Sequence, residues 1–174
     1  MTTATELSRH IRDIPDYPVP GVNFKDICPL LQNASALKLA VSAIVDIAST
    51  LNIDVVAAPD ARGFIFGVPV AVALNCGFVP IRKAGKLPYQ TFSLEYELEY
   101  GTDVLEIHTD AVEKGSRVLL VDDLLATGGT IEACCELLEQ QKAIVVSCCF
   151  LVELDFLHGR DRLAPRIVQS IVHY

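Results

Sequence analysis

The sequence lacks an excess of basic residues, and this absence narrows the range of ligands that the protein can bind. It has 14 lysine and arginine residues against 22 aspartate and glutamate residues, so the formal net charge is -8 with neutral histidines. Non-specific binding to nucleic acid or to an acidic membrane surface requires positive charge, and neither is expected here. A phosphate ligand must therefore meet a local cluster of basic side chains.

Signals for export, membrane insertion and metal binding are also missing. No apolar run approaches the length of a membrane span, and the first residues, MTTATELSRHIRDI, mix charges into their apolar positions, unlike a signal peptide. The six cysteines have no Cys-x-x-Cys spacing, and no histidines are paired. We therefore expect a cytoplasmic protein whose cysteines are reduced and pack as small core residues.

The length favours one domain. A chain of 174 residues with 51% hydrophobic and 21% charged residues can bury one core, and it is too short for two ordinary domains. It has no extended internal repeat, low-complexity tract or linker. We expect a single domain over residues 1–174.

Alternating patterns along the chain predict an α/β fold. Apolar residues at helical spacing predict helices over 35–51, 63–74 and 129–141, the second interrupted by Pro69. Buried strands are predicted at IDVVAA, FVPIRK, VLLVDD and IVVSCCFLVEL. Strands that alternate with helices indicate a mainly parallel sheet covered on both faces.

Two further regions have their own patterns. Thr3 and Glu6 form a possible capping box that predicts a short helix to about Asp13, and the proline-rich residues 15–24 predict an ordered loop. Between Gln90 and Asp110 the sequence alternates with period two around YGTD, which predicts an antiparallel hairpin. Such a hairpin can project from the sheet as a lid.

The stretch VLLVDDLLATGGT, residues 118–130, places two aspartates and a glycine-containing turn between a predicted strand and helix. Carboxylates repel anions, whereas backbone amides at a helix start attract them. The expected ligand therefore carries both hydroxyls and a phosphate, as a sugar phosphate does. The carboxylates are Asp122 and Asp123, and the turn consists of Ala126, Thr127, Gly128, Gly129 and Thr130.

Simpler and competing interpretations of this stretch are weaker. The two aspartates could merely cap the helix, but two carboxylates, two threonines and two glycines in order exceed what capping needs. The pattern is neither Gly-x-x-x-x-Gly-Lys-Ser/Thr nor Gly-x-Gly-x-x-Gly. A nucleoside triphosphatase or a dinucleotide-binding fold is therefore not indicated.

Five segments, spread in order over nearly the whole chain, resemble those of the adenine phosphoribosyltransferases, which belong to the type I phosphoribosyltransferases. They are PDYPVPGVNFKDI, APDARGFIFG, IRKAGKLP, LEYGTDVLEIH and VLLVDDLLATGGT. The resemblance implies the type I phosphoribosyltransferase fold, with a central, mainly parallel sheet flanked by helices. It also implies an N-terminal hood within residues 1–34 and a β-hairpin lid over residues 87–110.

The same resemblance implies an activity. Adenine and phosphoribosyl pyrophosphate would give AMP and pyrophosphate. Mg²⁺ would lie on the substrate diphosphate and have few protein ligands. The protein would be a homodimer that binds neither nucleic acid nor membrane. The turn at residues 126–130 would bind the 5′-phosphate, and Asp122 and Asp123 the ribose hydroxyls.

By the same resemblance, basic residues after two predicted strands would hold the pyrophosphate. The expected pyrophosphate-binding residues are Asp60, Ala61, Arg62, Arg82, Lys83 and Lys86. The peptide between Asp60 and Ala61 would present an amide there. Lys86 could instead be a solvated surface residue.

Adenine is uncharged, so its recognition needs stacking and hydrogen bonds from a rigid loop. The resemblance assigns the backbone of Asn23 and Lys25 to the Watson–Crick edge, and Phe24 and Leu124 to the two ring faces. Phe24 could alternatively be a core residue. Lysine at position 25 departs from the arginine common in relatives, although recognition through the backbone makes this a mild change.

Transfer to N9 of adenine requires a proton to leave the purine, and a carboxylate can accept it. Glu95, Glu97 and Glu99 share one strand face by the period-two rule, and the residues alone do not choose among them. The resemblance selects Glu99 with Tyr100, whereas His108 is expected to be structural.

Two other functions fit parts of the pattern. A regulator that senses phosphoribosyl pyrophosphate could keep this fold, but it usually needs an added nucleic-acid-binding region, for which this chain has neither spare length nor a basic stripe. A transferase for another base, such as xanthine or orotate, would differ mainly at residues 22–25, where backbone recognition is hard to infer from the sequence.

Overall fold

The structure, a computed structural model, describes residues 2–97 and 101–174. The helices are α1 (Thr3–Ser8), α2 (Cys28–Gln32), α3 (Ala34–Ala48), α4 (Arg62–Leu74), α5 (Gly129–Gln140) and α6 (Gly159–Leu163). The strands are β1 (Arg12–Ile14), β2 (Phe24–Asp26), β3 (Val55–Pro59), β4 (Gly77–Lys83), β5 (Thr91–Glu97), β6 (Thr102–His108), β7 (Arg117–Leu125), β8 (Ile144–Glu153) and β9 (Val168–His173).

Seven strands form the central sheet, in the order β5-β6-β4-β3-β7-β8-β9. Five neighbouring strands of this sheet run parallel, namely β4, β3, β7, β8 and β9. The antiparallel hairpin β5–β6 joins the edge at β4. The predicted α/β fold with a mainly parallel sheet and an added hairpin is confirmed.

Alternate residues of β7 pack on opposite faces of the sheet. Leu119 and Val121 lie in one core cluster with residues of α1, α3 and α4, and Val118 and Leu120 lie in a second cluster with residues of α5. All four are essentially inaccessible to solvent. This burial on both faces explains why the strand reads as a continuous apolar run.

The amino-terminal region differs from its prediction. The capping residue of α1 is Thr2, whose side chain accepts a hydrogen bond from the amide of Thr5, and the helix ends at Ser8 instead of continuing to Asp13. Residues 12–14 form β1, which pairs antiparallel with β2. Pairing with a strand distant in sequence therefore overrides the local helical pattern, as tertiary contacts commonly do.

Other predicted boundaries also shift. The third helix ends at Ala48, and β7 continues through the two aspartates to Leu125 because Asp122 and Leu124 still pair with β8. Helix α4 runs past Pro69 without a break. The carbonyl that loses its helical donor there belongs to Ile65, on the exposed face of the helix. Among the described residues, no helix is both long and apolar enough to cross a membrane.

Candidate active site

The parallel strands β3, β4 and β7 end at the same edge of the sheet, and each leads into predicted site residues. Residues 60–62 follow β3, Arg82 and Lys83 close β4, and Asp122 and Asp123 lie near the end of β7. Ligands of open parallel sheets bind at this edge, outside the carboxyl ends of the strands. The topology thus brings three separate sequence segments to one side of the molecule.

A cavity of about 200 Å³ lies at the end of β7, lined by Arg62 and residues 122–131. Gly128 has a φ of +86° and turns the chain into α5, which begins at Gly129. The first amides of a helix have no partner within the helix and carry its positive dipole end. The cavity therefore combines backbone donors for an anion with two carboxylates.

The two aspartates of this cavity differ in their contacts. Asp123 is buried and pairs with Arg62, whose Nε lies 2.9 Å from its Oδ2. The Oδ1 of Asp122 accepts a hydrogen bond from the amide of Asp123 at 2.8 Å. Helix α4 approaches Asp122 closely, because a Cβ atom at Gly63 would lie 3.0 Å from that Oδ1. Glycine at position 63 thus permits the contact.

Burial changes the acidity of both carboxyl groups. It raises the pKa of Asp122, and the adjacent negative charge of Asp123 raises that pKa further. Burial also raises the pKa of Asp123, although the Arg62 guanidinium opposes this change. Hydrogen-bond donors or positive charge that a ligand brings into the cavity would therefore stabilise the ionised forms of Asp122 and Asp123.

The predicted basic residues follow strands that end at the same sheet edge, and three of them, Arg62, Arg82 and Lys83, each pair with an aspartate. Arg82 Nε lies 3.1 Å from Asp60 Oδ2, and its Nη1 donates to the carbonyl of Lys86 at 3.1 Å. Lys83 Nζ lies 2.9 Å from Asp103 Oδ2, while the side chain of Lys86 is exposed. The peptide between Asp60 and Ala61 is cis.

The loop over residues 15–24 is held by its own hydrogen bonds. The amide of Tyr17 donates to the carbonyl of Val22 at 3.1 Å, and the amide of Gly21 donates to Asp16 Oδ1 at 2.7 Å. Phe24 is half-buried, with its ring in edge contact with Tyr17 at a centroid distance of 5.3 Å. The loop is thus ordered, as predicted.

The predicted base-binding residues are only partly brought together. Leu124 lines the 200 Å³ cavity, whereas Asn23, Phe24 and Lys25 are not among its lining residues. Asn23 is exposed. The side chain of Lys25 is directed at Asp13 and Tyr174. The cavity thus covers the sugar-phosphate part of the predicted site.

The hairpin β5–β6 reaches the turn at residues 126–130, called here the amide turn, through a residue that the sequence did not single out. The hydroxyl of Thr130 donates to the Tyr96 hydroxyl at 3.5 Å, and burial raises the pKa of Tyr96. Glu95 is exposed on the same strand. Glu99 and Tyr100 lie outside the described residues, as does the side chain of Glu97.

Comparison with known proteins identifies the family. Residues 30–172 match the profile of the phosphoribosyl transferase domain. The chain belongs to the phosphoribosyltransferase family. It is 56% identical over 169 residues to an adenine phosphoribosyltransferase of Rhodopirellula baltica, covering 97% of this chain and 82% of the relative.

Solved phosphoribosyltransferase structures agree over almost the entire chain. The adenine phosphoribosyltransferase of Thermoanaerobacter pseudethanolicus has a TM-score of 0.96 and 51% identity, covering 99% of this chain and 100% of that one. The Saccharomyces cerevisiae enzyme, complexed with an iminoaltritol bisphosphate and adenine, has a TM-score of 0.92 and 39% identity, covering 97% and 98%.

In this phosphoribosyltransferase, sequence patterns missed residues that support the site without lining the cavity. Gly159 packs on the amide turn, because a Cβ at Gly128 would meet its carbonyl oxygen at 2.7 Å. From the hairpin, Asp103 forms an ion pair with Lys83, and Tyr96 accepts a hydrogen bond from Thr130. The only available signal was the period-two pattern, which places Tyr96 and Glu95 on opposite faces of β5.

Proposed function

We infer that the protein transfers the 5-phosphoribosyl group from phosphoribosyl pyrophosphate to adenine, giving AMP and pyrophosphate. The observation that carries this inference is the cavity at the end of β7, where two carboxylates lie beside the first amides of α5, which have no partner within the helix. Relatives at 51% and 56% identity are adenine phosphoribosyltransferases. A cavity of this composition suits a phosphorylated sugar.

We propose that residues 126–130 bind the 5′-phosphate and that Asp122 and Asp123 accept hydrogen bonds from the ribose hydroxyls. Cleavage of the bond between C1′ and pyrophosphate leaves positive charge on the sugar, which negative carboxylates stabilise. Ribose hydroxyl donors favour the ionised carboxylates and so oppose the effect of burial on their pKa values.

The pyrophosphate is proposed to lie among Asp60, Ala61, Arg62 and the basic residues of β4 and its following loop, which are Arg82, Lys83 and Lys86. The ion pairs of Arg62, Arg82 and Lys83 with aspartates support this role, because they keep the cations at the sheet edge. A diphosphate would compete with these aspartates for the same donors.

We also propose that Mg²⁺ accompanies the diphosphate. The donor set fits a metal held mainly by substrate oxygens, because Asp60, Asp103 and Asp123 are each already paired with a cation. Asp122, which lines the cavity at the end of β7, is the carboxylate best placed to contribute a protein ligand to the Mg²⁺. The ion would neutralise charge on the leaving group.

For the base, we propose that Phe24 and Leu124 contact the two faces of adenine and that the backbone of Asn23 and Lys25 hydrogen-bonds its edge. Since the side chain of Lys25 is engaged elsewhere, its backbone is the part left for recognition. Glu99, with Tyr100 beside it, is proposed to accept the proton that leaves the purine.

A homodimer is proposed from the outer face of α4. Ile65, Val68 and Val72 are 37%, 44% and 74% exposed and fall on one side of the helix. Residues 63–74 include no charged residue. A second copy related by a two-fold axis would bury the same apolar face on both chains.

The location is proposed to be the cytoplasm. All six cysteines are free, four of them buried, as expected for reduced core residues. Persistent disulfides are typical of oxidising compartments, and this chain uses none of its cysteines in that way.

Incubation with phosphoribosyl pyrophosphate and Mg²⁺, with adenine, hypoxanthine, guanine, xanthine or orotate added in turn, tests the activity. Release of pyrophosphate with adenine alone is the expected result. Release with another base instead would assign a different transferase. Binding of phosphoribosyl pyrophosphate without release for any base would indicate a non-enzymatic sensor.

A further inference from the structure

We propose that Lys25 and Tyr174 are positioning residues that hold the base-binding strand β2 in place from the side opposite Phe24. This proposal rests on the proposed adenine transfer for its kinetic readout. Neither side chain is assigned a contact with the base. Their role is to fix the backbone whose groups recognise it.

The alternation of side chains along β2 separates the two functions. Phe24 and Lys25 are successive strand residues, so their side chains point to opposite faces. The Nζ of Lys25 lies 3.8 Å from the ring centroid of Tyr174 and 2.5 Å from Asp13 Oδ1. The Lys25 side chain is only 10% exposed. It is therefore enclosed by an anion and an aromatic face.

Asp13 is itself the register partner of Lys25 in the pairing of β1 with β2. The next pair, Arg12 with Asp26, is also an ion pair, at 2.5 Å, on the other face of the two strands. Two ion pairs thus reinforce the backbone pairing of β1 with β2. The contact with Tyr174 joins this small sheet to the rest of the protein.

Tyr174 is well anchored for this purpose. Its amide donates to the carbonyl of Glu153 at 3.0 Å, and its carbonyl accepts from the amide of Asp155 at 2.9 Å. Glu153 is paired in register with Leu125 of β7, next to Leu124. A continuous path of contacts therefore runs from β2 through Tyr174 and β8 to β7. The two ends of this path, β2 and β7, carry Phe24 and Leu124, the two residues proposed to enclose adenine.

The expected effect is specific to one substrate. Loosening β2 raises the cost of ordering the adenine contacts and leaves the turn at residues 126–130 unchanged. Tyr174→Leu should raise the KM for adenine about fivefold, in line with a partly desolvated cation–π contact. The KM for phosphoribosyl pyrophosphate and kcat at saturation should stay within about twofold.

Matched variants separate this role from a general loss of packing. Tyr174→Phe keeps the ring and should retain the wild-type KM for adenine. Lys25→Met keeps the aliphatic stem and should raise it, whereas Lys25→Arg should restore most of the affinity. The double variant Lys25→Met with Tyr174→Leu should have a KM for adenine no higher than that of Lys25→Met alone, because Lys25→Met already removes the contact with Tyr174.

Hydrogen exchange provides a readout that does not depend on activity. Amides of residues 22–27 should exchange faster in Tyr174→Leu than in Tyr174→Phe, with no difference in residues 117–125. Equal exchange in both variants, or additive kinetic effects in the double variant, would overturn the proposal. Faster exchange without any adenine transfer by the wild type would retain the positioning role and reject the proposed function.

Discussion

Gly128 packs directly against Gly159, so that a Cβ atom at position 128 would lie 2.7 Å from the carbonyl oxygen of Gly159. Gly128 belongs to the amide turn before α5, and Gly159 is the first residue of α6. The turn proposed to bind the phosphate thus packs against backbone at Gly159, which is distant in the sequence.

Gly128→Ala is expected to destabilise the protein by more than about 2 kcal/mol, because it adds a clash to roughly 1–2 kcal/mol of left-handed strain. Gly115→Ala is the matched control, because Gly115 has the same φ of +86° with nothing within 4 Å of a Cβ. Urea denaturation measures both. Equal losses of unfolding free energy would contradict a special contact at position 128.

Arg62→Ala should raise the KM for phosphoribosyl pyrophosphate about tenfold or more and hardly change that for adenine. The reason is the loss of a charge-assisted hydrogen bond, of about 1.5–3 kcal/mol, to the pyrophosphate. Arg117→Ala, at the opposite end of β7, is the control and should leave both constants unchanged. Similar effects of Arg62→Ala on both substrates would rule out its proposed role.

Glu99→Gln should lower kcat by about 100- to 10,000-fold, the usual contribution of general acid–base catalysis. Substrate affinities should stay near those of the wild type, because the amide keeps the size of the side chain. Glu95→Gln, an exposed position on β5, should lose much less. Steady-state kinetics at saturating Mg²⁺ compares them, and a kcat for Glu99→Gln within about threefold of wild type would refute the assignment.

Asp26 should contribute pH-dependent stability. The backbone amide of Cys28, with help from the Cys28 side chain and Arg12, lowers the pKa of Asp26 from 3.8 to about 2. A carboxyl group whose pKa is lower in the folded protein than in the unfolded chain stabilises the fold. This stabilisation is complete above the pKa of the unfolded chain and is lost as the pH falls towards the pKa of the folded protein.

Asp26→Asn should therefore cost about 2 kcal/mol at pH 7, the range for hydrogen bonds to a charged group. The difference from wild type should shrink below about pH 5 and nearly vanish towards pH 2. Urea denaturation at several pH values tests this. A difference that is independent of pH would show that the charge of Asp26 contributes nothing.

Val68→Glu should convert the proposed dimer into monomers, because it places a charge in the centre of the apolar face of α4. Ile167→Glu is the control, since Ile167 is a similarly exposed apolar residue away from α4. Sedimentation equilibrium gives the mass of each variant. Dimers of Val68→Glu as stable as those of the wild type would place the interface elsewhere.

The sequence predicted the parallel core well because its strands are buried on both faces and its helices show regular apolar spacing. It predicted that Asp122, Asp123 and the amide turn lie together, since these residues are adjacent in the chain. It could not predict the pairing of Arg62 with Asp123 or of Lys83 with Asp103. These ion pairs join segments that only the folded topology brings together.

The region before residue 30 was harder to predict for the same reason. A capping pattern suggested one helix to about Asp13, but cross-strand ion pairs of Arg12 and Asp13 with β2 determine the observed structure. Local sequence contains no signal for partners that lie a dozen or more residues away. The contact of Lys25 with Tyr174 is an extreme case.

The hairpin β5–β6 pairs internally over seven residue pairs, whereas it meets β4 through only two, Arg82 with Glu106 and Lys83 with Leu105. Leu105 and Ile107 of β6 are nevertheless buried in the core with residues of α5, so the part of the hairpin next to β4 belongs to the scaffold. The outer part of the hairpin can thus change in length without disturbing the register of the parallel strands, while the contact of Tyr96 with Thr130 keeps it at the amide turn.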